Sequence, residues 1–547
     1  MLRWKCWLML SLILAVVLAG CVSREEAPAI VRVGAGHEPS TLDPSLLNDT
    51  FCCAIISELA PSLTALDADT SEVIPRLAVE WDVSQDGLVW TFRLREDVHW
   101  VRYDPEQGEP EKMRQVTAHD VVYGTQRTLD PGTGAMFAFA LYPIKNAQAV
   151  NTGAVESLDA IGVIALDEHT VQFTLMEPTA YFPSLVAASW TNPQPREAIA
   201  ESGELWTEPG HIWTYGPYLL DTWDHDSRLV LRRNPHYWDA ANVALEKVEL
   251  VLAGTEFTQL AQFEAGELDT AHFPITEQER LQADAALSQQ LQLEPNKCTF
   301  YLGFNTAYPP LDDKRVRKAL SAAIDRDLLS REVLQGAGTL AKSFGSPGVF
   351  GSPAEDASFE GPTFDLDQAR QWLAEAGYPG GQGFPELNYL LSSTSTCQYT
   401  SEFIQQQWRQ NLGIEVKLIQ QESKVFMQTL RTDPPPLWEA RWCAAAPDSH
   451  FTLSWYLHPV KGMNDGEWDA SDPAAQRFAE LVDGAVTEMD REQRRAMYYE
   501  AEQIICADEA IVAPLAYLTT RWITKPYLER SHREMWWDMY KWQVKPH

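Results

Sequence analysis

Apolar residues recur along this chain with two different periods, which predicts short strands mixed with amphipathic helices. Residues 88–94 and 171–175 alternate apolar and polar side chains, as strands with one buried face do, and Asp86-Gly87 is a turn signal before the first of them. Residues 229–231 are continuously apolar, which is typical of a strand buried on both faces.

Three segments follow the helical period instead: residues 312–334, 365–376 and 491–507. Pro309-Pro310 ends the element before the first of these helices, and Asp312 or Asp313 can cap its N-terminus. Near that end we expect three basic side chains to be solvated or docked onto acids of another lobe: Arg315, Arg317 and Lys318. Because strands and helices are mixed throughout and no long repeat occurs, the pattern favours α/β or α+β lobes whose chain crosses back and forth.

The N-terminal segment has the features of an exported lipoprotein. Arg3 and Lys5 form a positive n-region, and residues 7–18 are apolar apart from one serine, which suits a signal h-region and is short for a membrane span. The segment ends in LAGC at 18–21, which resembles the bacterial lipobox. We predict a signal peptide over residues 1–20, a diacylglycerol on Cys21, a tether over residues 21–29, and a mature protein outside the cytoplasmic membrane.

Composition excludes several classes of protein. A chain of 547 residues is too long for one compact domain with a single core. Hydrophobic residues make up 45% and charged residues 22%, a composition that argues against a wholly disordered protein. The formal charge of −34 argues against nucleic-acid binding, which needs a basic face. The 20 tryptophans indicate either a large core or cavities lined with flat side chains.

Six cysteines beyond the predicted lipidation site can form disulfides in this compartment: Cys52, Cys53, Cys298, Cys397, Cys443 and Cys506. Their spacing does not assign the pairs, because six cysteines allow about 15 pairings. Their wide scatter excludes a CxxC zinc or redox site. A bridge between neighbouring Cys52 and Cys53 is not expected, because it would strain the peptide bond between them.

Catalytic motifs are absent from the sequence. HExxH, GxSxG, a P-loop and a GxGxxG entering a helix do not occur, and the 12 histidines show no metal-ligand spacing. His119-Asp120 opens a helical stretch, in which Asp120 is expected to serve the helix N-terminus rather than a catalytic dyad. We therefore expect a protein that is not an enzyme and that has no catalytic residues, cofactor or metal.

Eight motifs follow one another along nearly the whole chain. They are TLDP at 41–44, IPRLA at 74–78, DGLVWTFRLREDVHW at 86–100, VTAHDVVY at 116–123, GPY at 216–218, RRNPHYW at 232–238, GELD at 266–269 and NTAYPPLDDKRVRKALSAAIDR at 305–326. In this order they resemble the extracytoplasmic solute-binding proteins of the peptide/nickel class, which are the oligopeptide- and dipeptide-binding components of ABC importers.

The resemblance implies an α/β, two-lobed periplasmic-binding-protein fold of type II, with crossing strands, an extra inserted domain and a hinge between the lobes. By this pattern lobe one covers residues 30–68, 200–292 and 516–547, the inserted domain 69–199, and lobe two 293–515. The implied function is that of a monomeric, lipid-anchored receptor on the periplasmic side or cell surface, which captures short peptides and delivers them unchanged to an ABC permease.

The resemblance also marks a candidate site. Cys298, in NKCTFYLGFN, and Cys443, in ARWCAAA, lie where oligopeptide-binding members carry a disulfide; the alternative is two buried thiols. A bridge would tie the start of lobe two to the ligand-facing segment around Trp442. The candidate ligand-binding residues are Glu439, Trp442, Cys443, Ala444, Ala445, Ala446, Trp455 and Tyr456.

This segment departs from the family pattern at the point that matters for peptides. Peptide binders usually read W-x-A-D-Y-x-D-P here, and the Asp holds the α-ammonium by a charge-assisted hydrogen bond. The corresponding positions are Ala445 and Ala446. Because an unpaired buried ammonium is costly, either another acid replaces the Asp, with Glu439 and Asp448 nearest, or the ligand has no ammonium. The alternative ligand is an oligosaccharide or other non-peptide solute, and the sequence does not separate import from sensing.

Overall fold

The computed structural model describes residues 30–36, 38–47, 50–67, 72–252, 254–336, 338–444, 448–531 and 537–545. The predicted signal peptide and tether, with Cys21, lie outside these residues, as do Ala445 and Ala446 of the candidate site. Among the described residues, no helix is both long and apolar enough to cross a membrane.

The described chain forms 22 strands: β1 Ile30–Gly34, β2 Thr64–Leu66, β3 Val73–Pro75, β4 Ala78–Val83, β5 Val89–Leu94, β6 His99–Tyr103, β7 Pro110–Gln115, β8 Val163–Asp167, β9 Thr170–Thr174, β10 Trp213–Thr214, β11 Tyr218–Asp224, β12 Arg228–Arg233, β13 Lys247–Val251, β14 Thr270–His272, β15 Leu291–Phe304, β16 Gly338–Leu340, β17 Leu387–Ser392, β18 Val416–Gln421, β19 Leu437–Cys443, β20 Val512–Thr524, β21 Leu528–Glu529 and β22 Gln543–Val544. The three strands predicted from periodicity correspond to β5, β9 and β12 and are confirmed, and residues 229–231 of β12 are buried.

One large mixed sheet runs through both predicted lobes, in the order β11-β12-β13-β1-β14-β20-β15-β19-β17-β18, with β16 also paired to β20. β15 and β20 are its longest strands, and they pair with each other between residues 291 and 303 of β15. β20 also pairs with β14 on the lobe-one side, while β15 pairs with β19 on the lobe-two side. These two strands therefore carry the chain from one half of the sheet to the other.

The remaining strands form small sheets. A four-stranded sheet in the order β4-β5-β9-β8 lies wholly within residues 69–199, the predicted inserted domain, and a three-stranded sheet has the order β10-β6-β7. The limits of the three predicted domains remain a prediction.

The helices of the described residues are α1 Thr50–Leu59, α2 Ala118–Leu129, α3 Ala147–Asn151, α4 Phe182–Leu185, α5 Arg196–Ser202, α6 Glu256–Glu264, α7 Gln278–Ala283, α8 Lys314–Ala322, α9 Arg326–Leu328, α10 Leu366–Glu375, α11 Ser395–Leu412, α12 Ser423–Thr432, α13 His450–Thr452, α14 Pro473–Thr487 and α15 Arg491–Gln503. The predicted helix at 365–376 is confirmed as α10, and the one at 491–507 is α15 followed by a π-helical turn, Ile504–Asp508. Asp120 accepts the Thr117 N–H at the start of α2, as expected.

The prediction of one continuous helix over residues 312–334 is wrong. The structure has α8, then the one-turn α9, then a π-helical turn, Leu329–Val333. The chain restarts at Asp325, whose side chain accepts the Leu328 N–H at 2.9 Å and so caps α9. The buried Arg326 guanidinium donates to the Ser321 and Ile324 carbonyls near the break, which satisfies groups that helical bonding leaves open.

The expectation that Arg317 is solvated is also wrong. Its side chain is buried and donates to the carbonyl oxygens of Leu311, Glu509 and Ala510 at 2.7–3.2 Å. Arg315 is exposed, as expected, and pairs with Asp313, the residue that caps α8. Helical periodicity does not show that a basic residue can satisfy the carbonyls of a distant loop, so this burial was not predictable from the pattern.

Candidate functional site

Strand β19 presents its odd- and even-numbered residues to opposite faces of the large sheet, as a strand does. Trp442 packs on the face that carries Tyr456. Glu439 lies on the other face, where its Oε2 accepts a hydrogen bond from the Tyr389 hydroxyl at 2.9 Å. The candidate residues of this strand therefore do not all face one site.

The Trp442 face is an aromatic cluster. The Trp442 and Tyr456 rings lie nearly parallel, with centroids 4.7 Å apart, and the Phe344 ring lies nearly parallel to Tyr456 at 5.7 Å. Tyr301 meets Phe344 edge-on and donates its hydroxyl hydrogen to the Tyr456 oxygen. Tyr456 is fully buried, whereas Trp442 is half-buried, so Trp442 is the member that a solute can reach. We name these four residues the aromatic wall.

Beside the aromatic wall, two residues that face each other across β15 and β19 each carry a polar atom with no partner among the described residues. These atoms are the indole Nε1 of Trp442 and the Oγ1 of Thr299, and both are buried. Thr299 of β15 pairs directly with Trp442 of β19, so their side chains project from the same face of the sheet. Buried polar groups are usually hydrogen-bonded in native proteins, so we take these two atoms as candidates for a hydrogen bond to a solute. Sequence reasoning missed Thr299, although the pairing implied by the predicted disulfide would have placed it opposite Trp442.

Trp455 lies where lobe two meets the predicted inserted domain. Its ring centroid is 4.9 Å from that of Phe139 and 6.0 Å from that of Trp190, both between residues 69 and 199. Nearby, His450 stacks on Tyr181 at 4.2 Å, and the Ala180 N–H donates to the Val486 carbonyl at 3.1 Å. Burial lowers the pKa of His450 to about 3, so the imidazole is neutral in this contact.

A disulfide joins Cys298 and Cys443. The two residues lie directly opposite each other on β15 and β19, one position from Thr299 and Trp442. Ala444, the next residue, is buried and donates its N–H to the Lys297 carbonyl at 3.1 Å. The bridge and this bond together fix the end of β19 against β15, which positions the two unpartnered atoms.

Glu439 is fully buried among groups of the lobe-two core. Burial raises the pKa of its carboxyl to about 8, so the group is mostly protonated at neutral pH. A neutral carboxyl on the far face of β19 from Trp442 is not placed to hold a cation bound at the aromatic wall.

Asp448 is buried and already engaged by protein groups. Both of its oxygens accept from Arg494 Nη2 at 2.7 Å, and Oδ1 also accepts the His450 N–H at 3.0 Å and the Tyr498 hydroxyl at 3.2 Å. Burial makes this a strong internal pair that a ligand ammonium would have to break. Neither acid named from the sequence is therefore available to replace the missing Asp.

The described residues contain no group of three or more His, Cys, Asp or Glu side chains that could hold a metal ion. The candidate site thus consists of the aromatic wall, two unpartnered polar atoms and the contact of Trp455 with the predicted inserted domain. This set of groups suits non-covalent binding of a solute.

Comparison with known proteins decides the family. A sequence profile described as bacterial extracellular solute-binding proteins, family 5 middle, matches residues 72–464. The chain belongs to this family. It is 31% identical to the periplasmic oligopeptide-binding protein OppA of Escherichia coli K12 over 94% of each chain. It is 32% identical to the murein peptide-binding protein MppA of the same organism, over 94% of this chain and 92% of the relative.

Solved structures agree with this assignment. The Escherichia coli murein tripeptide-binding protein MppA superimposes with a TM-score of 0.77 at 30% identity, covering 95% of this chain and 99% of that one. Its unliganded open form gives a TM-score of 0.76. The prediction of a two-lobed type II fold is confirmed, and so is the prediction of a binding protein of a transporter, outside the cytoplasm, rather than an enzyme.

Proposed function

We propose that this solute-binding protein captures short peptides and delivers them to the membrane permease of an ABC importer. The observation that carries the proposal is the match over 94% of the chain to OppA, whose name states oligopeptide binding. MppA, the murein peptide-binding protein, supports the same ligand class.

One edge of strand β19 suits a peptide main chain. β19 pairs with β15 along its whole length, from Leu437 to Cys443. On its other edge it pairs with β17 only at Leu437 and Trp438. β17 ends at Ser392, so among the described residues positions 441–443 extend past it on that edge, and an extended peptide can hydrogen-bond there as an added strand.

Side-chain groups of the site complement such a ligand. The exposed part of Trp442 offers a flat apolar surface for a peptide side chain, and its Nε1–H can donate to a peptide carbonyl. The Thr299 hydroxyl can donate to the same ligand or accept from one of its N–H groups. Because Glu439 and Asp448 are committed elsewhere, we expect the α-ammonium of the peptide to contribute little through this segment.

The remaining parts of the proposal concern the chain outside the candidate site. We infer that Cys21 carries a lipid, that residues 21–29 tether a monomeric receptor to the membrane, and that the permease subunits are its partners. The lipobox-like LAGC at 18–21 supports the anchor.

Calorimetric titration with defined tri- to pentapeptides tests the ligand class and the site together. We expect saturable binding, weakened about fivefold in each of Trp442→Phe and Thr299→Val, since each removes about one neutral hydrogen bond. Trp372→Phe, at a half-buried tryptophan of α10 that lies under Lys318, is the matched control and should bind like the wild type.

Two outcomes would contradict these proposals separately. Heat from an oligosaccharide but from no peptide would replace the ligand class with the alternative solute. Peptide binding that is unchanged in both Trp442→Phe and Thr299→Val would keep the ligand class and reject the site. N-acetylated peptides that bind as well as free ones would support the conclusion that no acid of this segment holds the ammonium.

A further inference from the structure

The loop that carries Phe344 of the aromatic wall is held by one buried carboxylate. Glu502 of α15 is fully buried, and it accepts the backbone N–H of Phe344 at 2.8 Å on Oε2 and that of Gly345 at 2.6 Å on Oε1. Each oxygen of the carboxylate thus accepts one hydrogen bond, and the two donors are the N–H groups of consecutive residues. This arrangement fixes the backbone on both sides of the Phe344 Cα.

Other bonds hold neighbouring groups of the same loop. The Ser343 N–H donates to the Tyr517 hydroxyl at 3.0 Å, and the Gly345 carbonyl accepts from the Ser343 and Ser352 hydroxyls at 2.8 and 2.6 Å. The backbone N–H groups of Ser343, Phe344 and Gly345 thus all have partners, and the last two are bonded to Glu502.

No cation lies within ion-pair distance of Glu502 in the part of the chain that the structure describes. The titratable or charged groups around it are Cys506, whose thiol is 3.4 Å from Oε2, Tyr517 of β20, and Arg326 of α9, which is bonded to backbone carbonyls and to Ser321. A buried carboxylate without a counter-ion is costly in its charged form. Burial accordingly raises the pKa of Glu502 to about 7.

Protonation changes what Glu502 can hold. The carboxylate offers a strong acceptor oxygen to each N–H, whereas the neutral acid keeps one good acceptor and a hydroxyl oxygen that accepts more weakly. One of the two bonds that hold the Phe344–Gly345 backbone is then weaker, so the backbone is held less tightly. Phe344 lies parallel to Tyr456, which lies parallel to Trp442, so this change is passed through packed rings to the ligand-facing tryptophan.

We propose that Glu502 is a positioning residue that couples ligand affinity at the aromatic wall to its own protonation. In the ligand-binding form the carboxylate is ionised and accepts the N–H groups of both Phe344 and Gly345. Uptake of a proton loosens this arrangement and favours ligand release. The inference rests on the proposed function for the identity of the ligand, but not for the existence of the coupling.

The test compares wild type with Glu502→Gln, which keeps the shape of the side chain but replaces one acceptor oxygen with a donor. Peptide affinity of the wild type should weaken roughly fivefold or more from about pH 8.5 to about pH 5.5, which is the range of typical coupling between two sites. The variant should bind at about pH 8.5 as the wild type binds at about pH 5.5, and its affinity should not change with pH. Glu500→Gln, an exposed neighbour paired with Arg477, should keep the wild-type pH profile.

A second readout needs no ligand. In protein labelled with 5-fluorotryptophan, the ¹⁹F resonance of Trp442, assigned with Trp442→Phe, should move with a midpoint near pH 7 in the wild type and stay fixed in Glu502→Gln. A resonance that does not titrate, or a wild-type affinity that does not change with pH, would overturn the coupling. A titrating resonance in a protein that binds no peptide would leave the coupling intact and reject the ligand proposed above.

Discussion

The Asp448–Arg494 pair makes the sharpest stability prediction, because both oxygens of the carboxylate accept from the buried Arg494 side chain. Asp448→Asn keeps the volume but removes the charge that faces Arg494, whose side chain is only 8% exposed. Breaking a buried pair by removing one partner costs roughly 3–5 kcal/mol. Arg494 keeps its bond to the Ala485 carbonyl and its contact with the Phe350 ring, so we expect a loss near the lower limit, about 3 kcal/mol.

Urea unfolding followed by circular dichroism measures this loss as a fall in the midpoint concentration at unchanged slope. The matched control is Glu415→Gln, which breaks the exposed Arg409–Glu415 pair and should leave the midpoint nearly unchanged. A double variant, Asp448→Asn with Arg494→Met, removes both buried charges and should regain part of the loss. If Asp448→Asn moves the midpoint no more than Glu415→Gln does, the pair is not the anchor that its geometry indicates.

Two further predictions concern the disulfide and His450. The double variant Cys298→Ala with Cys443→Ala should lower the free energy of unfolding by up to about 5 kcal/mol. This is the limit that chain entropy sets for a bridge between residues 145 positions apart. An unchanged urea midpoint would contradict the prediction. The folded-state pKa of His450, about 3, lies below its ordinary 6.5, so its contribution to stability is complete above pH 6.5 and is lost as the pH falls. From pH 7 to pH 5 the wild type should therefore lose about 2 kcal/mol more than His450→Gln, whereas exposed His236→Gln should behave like the wild type.

Much of the fold follows from short-range pattern. The alternation of apolar and polar residues predicted β5 and β9, and a continuous apolar run predicted β12. The helical spacing of apolar residues after an acidic cap predicted α10. The prediction of one helix over 312–334 was wrong because the helical spacing of apolar residues continues across Asp325. The side chain of Asp325 caps a new helical turn at that point. Periodicity reports which face is buried, and it does not report where a local hydrogen bond interrupts the backbone.

The candidate site was predictable only in part. The motif order led to the segment around Trp442, and the two strands joined by the disulfide there are β15 and β19. Thr299 and Glu502 were not found, because each acts through a partner far along the chain: Trp442 across a strand pair and Phe344 through its backbone N–H. A single sequence carries no direct signal for such contacts, although register across a known disulfide supplies one for Thr299.

The alternation of side chains along a strand could have excluded one of the two acids proposed to replace the missing Asp. Glu439 and Trp442 are three residues apart in what reads as a strand, so they must face opposite sides, and the sequence already argued against Glu439. No such rule covers Asp448, whose commitment depends on Arg494, 46 residues away. With both acids committed, we expect affinity for a peptide to come from main-chain pairing on the open edge of β19 and from the aromatic wall. A receptor that binds in this way should discriminate peptides more by length and side-chain shape than by the charge of their N-terminus.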